Sequence, residues 1–442
     1  MSRVVVIGGG LAGCASAARL AKLGHEVVLL EQSPRLGGAI GTVVRPGFRW
    51  EAGPRTTLLP AVLRDLFRKS GRPLDRELEL VPLDPPRRHR AVDGTWFELP
   101  TGNRSVQHQA LAGTLGERSA DAWLAWTASY AETWERLRDA WFEHVWDPDH
   151  VDPATRRLLT SRVVLDRATR GAFRDDRLRA LALWSFAMDG QSARDVPAWC
   201  GLRDYLEQQL GVWTVPWSAG GFGALAGVLA ARLEQRGVQV RLGEVVRDVE
   251  VVGGRAVGVR TDDEVVAGDH VVLCVDPRSM PATAPLVRRT SPVVPPFVVH
   301  LGLEGDVPDV PPQTVLHGDP LLVLTRGHAA GEDEGGDRRA WTVQARGAGT
   351  LEDVLRRLDE LDLGVREQIV TTVVRSPVDQ VRDLRGSAYG VQWQGRATLR
   401  HRLVTRTPVP GLLAAGAHAG PGSATPFVGL GAALVAQEIG RA

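Results

Sequence analysis

The 442 residues predict an α/β protein, and three observations carry that prediction. An apolar run, Val4-Val5-Val6-Ile7, ends in a glycine turn and passes into an apolar helical pattern at Leu11, Ala15, Ala18, Leu20 and Leu23; a second run, Val27-Val28-Leu29-Leu30, follows. Strand, helix and strand in close succession form the βαβ signature of a parallel sheet. Strand-like runs then recur at residues 238–274 and again at 411–416, so the sheet is expected to be assembled from discontinuous segments. Between these segments the pattern changes to long, tryptophan-bearing helices over residues 103–214 and to alternating strand-like runs over residues 293–403, which predicts an α+β domain carrying a helical insert.

The first turn has the spacing Gly8-x-Gly10-x-x-Gly13. Gly8 permits the tight turn, Gly10 lets the backbone approach a pyrophosphate, and Gly13 lets the helix pack closely on the strand. The helix N-terminus at Leu11 and Ala12 then turns free N–H groups and a positive partial charge toward phosphates. Glu31 ends the second strand, with Gln32 beside it, where a carboxylate accepts hydrogen bonds from a ribose diol. That carboxylate would repel a 2′-phosphate, so this Rossmann-like unit is expected to hold FAD or NAD rather than NADP.

Composition excludes several classes. Hydrophobic residues make up 43% and charged residues 24%, with a net charge of +1, so no field favours a nucleic acid. The apolar run before the first glycines is too short for a secretory signal, and no stretch approaches the roughly 20 residues needed to span a bilayer, so a cytoplasmic protein is expected. Cys14, Cys200 and Cys274 are widely spaced, which supports neither a disulfide framework nor a zinc site; Cys14 reads as helix packing. No other metal site is expected.

After Glu31 the chain reads Ser33-Pro34-Arg35-Leu36-Gly37-Gly38. An Arg-x-Gly-Gly directly after the ribose-binding acid resembles flavoproteins of the two-dinucleotide-binding-domain type, which moves the expected ligand to FAD. Arg35 can present its fork of donors to phosphate or ribose oxygens. Then come Gly53-Pro54-Arg55-Thr56 and a helix opening at Pro60 with Leu63, Leu66 and Phe67 on one face. With Gly71-Arg72-Pro73-Leu74, Val81-Pro82-Leu83-Asp84-Pro85 and the Asp93-Gly94-Thr95 hairpin, this order resembles the phytoene desaturase-like branch of the FAD-dependent amine oxidase superfamily. The tail agrees: Gly416-Ala417-His418 and Pro426-Phe427-Val428 stand where that family has a glycine loop and a helix N-terminus against the isoalloxazine. The family's glycine run is only partly present, as Gly420-Pro421-Gly422. The resemblance further implies that the strand holding Val246 passes the adenine and that FAD is bound noncovalently.

Trp123, Trp126, Trp134 and Trp141 recur near helical multiples; they read as a helical core, with a tunnel for a large apolar substrate as the functional alternative. Arginines at 156, 157, 162, 167, 170, 174, 177 and 179 alternate with apolar residues, a pattern read as a solvated face and, alternatively, as a peripheral membrane contact. Gly221-Phe222-Gly223 imitates a second dinucleotide motif, but no strand precedes it and no acid follows at the right distance. Residues 293–403 are expected to form an antiparallel floor for the substrate cavity, with residues 327–336 a mobile loop.

The resulting division is an FAD-binding domain at 1–85, 215–290 and 405–442, and a substrate domain at 86–214 and 291–404. No hydrolytic triad, carboxylate pair or metal constellation is evident, which suits chemistry carried by a cofactor. Lys22 and Lys69 are the only lysines, and neither is expected at the flavin, where the amine oxidase branch keeps one. Arg55 and His418 are the candidate catalytic residues. The expectation is an FAD-dependent desaturase or dehydrogenase moving hydride from an apolar, isoprenoid-like or polycyclic substrate to flavin N5. Its alternatives are an amine or protoporphyrinogen oxidase-type flavoenzyme, a non-redox flavin isomerase and an idle flavin fold. The electron acceptor is left open among oxygen, a quinone and other carriers.

Overall fold

The structure, a computed structural model, describes residues 1–331 and 336–442. Its organising element is a five-stranded parallel sheet in the order Leu412–Ala414, His270–Leu273, Arg3–Ile7, Glu26–Glu31, Gln239–Leu242. The central strand is buried on both faces, with Val4, Val5 and Val6 all at 0% exposure. That explains why these strands read as continuous apolar runs rather than alternating ones. The helices Leu11–Lys22, Pro60–Ser70, Ala224–Gln235 and Thr425–Ile439 pack together on one face of the sheet around Leu20, Leu63, Phe67, Leu229 and Val435. The other face is covered by a three-stranded antiparallel sheet running Asp248–Val252, Arg255–Arg260, Val265–Ala267.

A second, seven-stranded sheet runs Ile369–Arg375, Phe297–Glu304, Arg338–Arg346, Leu321–Arg326, Gln313–Leu316, Arg88–Arg90, Trp96–Glu98. Its strands from residues 293–403 pair with one another antiparallel, as the alternating runs suggested, and the one parallel pairing joins Gln313–Leu316 to Arg88–Arg90, which lies outside that stretch. Trp341 and Val343 anchor the core beneath it, against the helix Leu351–Asp359.

The helical insert departs from expectation in length. Its helices run from Ala131–Leu137, with 7 residues, to Asp176–Met188, with 13, so they stack as short elements rather than long rods. Trp213 is not helical at all: it lies in the strand Val212–Thr214, paired with Val81–Leu83. Trp123 and Trp126 are buried against Phe173, with ring centroids 5.9 Å and 5.3 Å away, so these two are core. The arginine-rich stretch lies on the surface, where Arg170, Arg177 and Arg179 pair with Asp166, Asp175 and Asp176 while Leu159, Leu165 and Phe173 face inward.

Two further expectations change. Val246 is buried in the loop between Gln239–Leu242 and Asp248–Val252, not in a strand, because the strand-like run at 238–249 is interrupted at residues 243–247. Within the segment read as a mobile loop, His328–Ala329 pairs with Phe48–Arg49 as a short strand, while residues 332–335 lie outside the described residues. Among the described residues no helix is long and apolar enough to cross a membrane.

Asp204 sets a pH dependence within the insert. Its carboxylate accepts a hydrogen bond from Trp126 Nε1 at 2.8 Å, while burial and the neighbouring Glu207 push its pKa up to about 7 against the pull of Arg203 and Arg87. The folded state therefore holds this proton more tightly than the unfolded chain, and stability falls as the pH rises from near 4 through 7. Urea unfolding should show a loss on the order of 2 kcal/mol between pH 5 and pH 8. Asp204→Asn should flatten that profile, and an equally steep profile in the variant would refute the assignment.

Candidate active site

One cavity of about 1410 Å³ runs from the glycine turn after the first strand to the tryptophans of the insert. Of the residues singled out in the sequence, Gly8, Gly10, Leu11, Ala12, Glu31, Gln32, Arg35, Gly37 and Gly38 line one end. Gly53, Pro54, Arg55, Thr56, Val246, Gly416, Ala417, His418, Pro426, Phe427 and Val428 line it too. Gly13 does not. Its place is structural: a Cβ there would lie 1.8 Å from the Gly8 carbonyl oxygen, so only glycine lets this helix meet the turn.

The two glycine loops lie back to back. Gly37 N–H donates to the Gly9 carbonyl at 2.8 Å, and a Cβ on Gly38 would come within 2.9 Å of the Gly10 Cα. Above them the helix Leu11–Lys22 begins without a side-chain cap and without an acid in its first turn, and the helix Thr425–Ile439 also begins uncapped on the cavity wall. Elsewhere Asn103, Asp152, Asp175 and Thr350 cap helices that start away from this cavity. Two uncapped N-termini aimed at one space provide orphan N–H donors and positive partial charge for an anionic ligand. Glu31 is buried and accepts from Gly9 N–H at 2.6 Å and Ser33 N–H at 2.8 Å, which fixes its carboxylate at the sheet's carboxyl end with lone pairs to spare. This donor and acceptor set fits a dinucleotide with a diphosphate and an adenosine ribose.

The polar wall further along was not legible in the sequence. Glu51 accepts from Phe222 N–H at 2.6 Å and Gly223 N–H at 2.9 Å, capping the helix Ala224–Gln235. Thus the glycines that imitate a second dinucleotide motif hold a carboxylate of this chain. Burial pushes that carboxyl up to about 7, opposed by the two N–H donors and by Arg55 and Arg49. Arg55 Nη2 donates to Gln344 Oε1 at 3.0 Å, and Gln344 Nε2 donates to the Tyr389 hydroxyl at 3.1 Å. Burial lowers the Arg55 guanidinium and pushes the Tyr389 phenol up to about 12, so the phenol keeps its proton at neutral pH. His418 is buried, with Nδ1 3.7 Å from Asp276 Oδ1; burial lowers its pKa while Asp276 opposes.

The remaining wall is apolar and aromatic: Trp141, Phe142, Trp184, Phe186, Trp199 and Trp393. Phe427 stacks on Phe142 at 5.2 Å, joining the C-terminal helix to the insert. Of the tryptophans first read as core, Trp141 therefore serves as cavity wall. Cys14 and Cys274 are raised to about 12, chiefly by burial, and Cys14 Sγ donates to the Gly9 carbonyl at 3.2 Å, which makes it packing and not a thiolate. Lys22 and Lys69 are exposed and neither reaches the cavity.

A parallel sheet with a glycine-turn dinucleotide site at its carboxyl edge, continuous with an aromatic cavity, defines a dinucleotide-cofactor protein with an apolar chamber beside that site. The profile of the flavin-containing amine oxidoreductases matches residues 11–439, and the chain belongs to that family. Its cofactor is FAD. It is 32% identical to a hydroxyneurosporene desaturase from Cereibacter sphaeroides over 290 residues, 63% of this chain and 57% of that protein. It is 28% identical to a phytoene dehydrogenase from Streptomyces griseus over 359 residues, 74% of this chain and 69% of that protein. The chain thus spans about half to two thirds of the length of the curated relatives it matches. A solved triple mutant of putrescine oxidase superposes with a TM-score of 0.70 at 18% identity, covering 100% of this chain and 99% of that one, a likeness of fold.

Proposed function

We propose that this protein is an FAD-dependent oxidoreductase, a desaturase or dehydrogenase acting on an apolar substrate of isoprenoid-like or polycyclic build. The observation that carries the reading is the single cavity shared by the glycine turn, Glu31 and the aromatic wall, which puts a bound cofactor and a large apolar molecule in one space. FAD, when bound, supplies hydride acceptance at its N5. In this proposal Gly8, Gly10, Leu11, Ala12, Arg35, Gly37 and Gly38 hold its diphosphate end, and Glu31, Gln32 and the Val246 loop hold its adenosine. Gly53, Pro54, Arg55, Thr56, Gly416, Ala417, Pro426, Phe427 and Val428 surround its ring end.

The chain's own side chains then bind and exclude. Trp141, Trp184, Trp199 and Trp393 desolvate the substrate, and Gln344 orients the Arg55 guanidinium and the Tyr389 hydroxyl toward the cavity. His418, braced by Asp276, supports the terminal loop rather than moving protons. The distance of both lysines from the cavity removes the support an amine oxidase reading would need. The FAD-binding part comprises 1–85, 215–290 and 405–442, and the substrate part 86–214 and 291–404, with His328–Ala329 bridging them on the strand Phe48–Glu51. The exposed arginines between 156 and 174 are the surface for a peripheral contact with an anionic membrane from the cytoplasmic side, and the acceptor is oxygen, a quinone or another carrier.

Purified protein should show the absorption spectrum of bound flavin. Anaerobic bleaching by one member of a panel of polyenes, porphyrinogens, amines and cyclic intermediates would identify the substrate type. Protein without flavin refutes the proposal, as does full-length flavoprotein that none of the panel reduces.

A further inference from the structure

A cavity for a bare hydrocarbon has no use for a buried charge without a counter-ion, yet one lines this cavity. Among its arginines, Arg87, Arg203, Arg375 and Arg382 are paired with Glu207, Asp189, Asp383 and Asp379, Arg35 is exposed, and Arg385 is only half-buried. Arg402 differs from all of these. It is 8% exposed, and among the described residues no carboxylate pairs with it. Its Nη2 donates to the Val391 carbonyl at 3.2 Å, its guanidinium carbon lies 4.1 Å from the Trp393 ring centroid, and its Nε has no partner. Its Nη1 lies 3.8 Å from where a Cβ would stand on Gly422, beside Phe427, so the fork opens where the aromatic wall meets the C-terminal glycine loop.

Burying a guanidinium against a carbonyl and an indole leaves most of its charge and donors unanswered, a cost that a fold carries where an anion will complete the pair. A planar fork of donors matches a carboxylate in bidentate fashion. Arg55 does not fill this role, because its guanidinium is engaged by Gln344. We propose that Arg402 receives a carboxylate on the substrate, so that the substrate is an amphiphile: an apolar body against Trp199, Trp393 and Phe427, with an acid group at the guanidinium. This inference rests on the reading of the aromatic cavity as the substrate chamber.

The test uses the flavin-loaded protein and three probes measured by titration calorimetry: retinoic acid, its methyl ester, and squalene. Flavin content, read by absorbance, checks the cofactor reading separately from the probe series. The wild-type protein should bind the acid about 10- to 100-fold more tightly than the ester or the hydrocarbon. Arg402→Met should abolish that preference while leaving ester binding unchanged, and Arg402→Lys should keep part of it. Equal or tighter binding of squalene by the wild type would overturn the proposal. So would an Arg402→Met protein that retains the preference, or one whose only change is in the flavin midpoint potential, which would assign the guanidinium to the reduced cofactor. Since the acid and ester comparison needs no variant, a misfolded Arg402→Met protein still leaves the proposal exposed to refutation.

Discussion

Gly13→Ala is expected to yield a destabilised protein without flavin, whereas Gly10→Ala is expected to yield a stable protein without flavin. The difference lies in what each new methyl group meets. At position 13 it would stand 1.8 Å from the Gly8 carbonyl oxygen, a backbone atom that no rotamer change can move aside. The helix must then lift from the turn, at a cost of about 3 kcal/mol or more. At position 10 the nearest atom is the Gly38 Cα at 3.9 Å, ordinary contact, so the protein alone tolerates alanine and the methyl group intrudes only on what lies beyond the turn. Flavin absorbance per chain and urea unfolding of both variants separate the two effects. A Gly10→Ala protein with full flavin content would show that no diphosphate approaches this backbone.

The second large effect concerns stability. Arg232 has no exposed side-chain surface and pairs with Glu77. It also donates to the Phe67 carbonyl at 3.1 Å and the Arg72 carbonyl at 3.3 Å, tying the helix Ala224–Gln235 to the helix Pro60–Ser70. Glu77→Ala should cost about 3–5 kcal/mol, because it strands a guanidinium in the interior. Arg232→Met should cost less, since the Glu77 left behind is partly exposed and can be hydrated. Chemical denaturation of the two variants gives the order, and the reverse order would refute the argument. The loss also reaches the cavity, because the same helix begins at the N–H groups that hold Glu51.

What could be read from the chain alone follows from how local each signal is. The βαβ unit, Glu31, the helix opening at Pro60 and the C-terminal helix all declare themselves within a few residues, through apolar period and glycine spacing. The polar wall does not. Glu51 meets Phe222 across 171 positions and Arg55 meets Gln344 across 289, and no periodicity links partners so far apart. Gly221-Phe222-Gly223 did carry a trace, since a glycine pair opening a helix is an anion site, and the anion is simply a side chain of the same protein. Arg402 reads as any surface arginine until its burial is known. The tryptophans divide in the same way: Trp123 and Trp126 share a helical face with the core, while Trp141 lies in a π-helical turn that rotates it into the cavity wall.

The order of strands in the parallel sheet also sets a timetable for synthesis. The strand Arg3–Ile7 is made long before one of its neighbours, His270–Leu273, and the edge beyond that is closed only by Leu412–Ala414. At about 5–20 residues per second, roughly 20–80 s separate the first strand from the last. Throughout that interval a strand that is buried on both faces in the finished fold has an incomplete sheet, and deletion from residue 412 onward should convert a folded protein into an aggregating one.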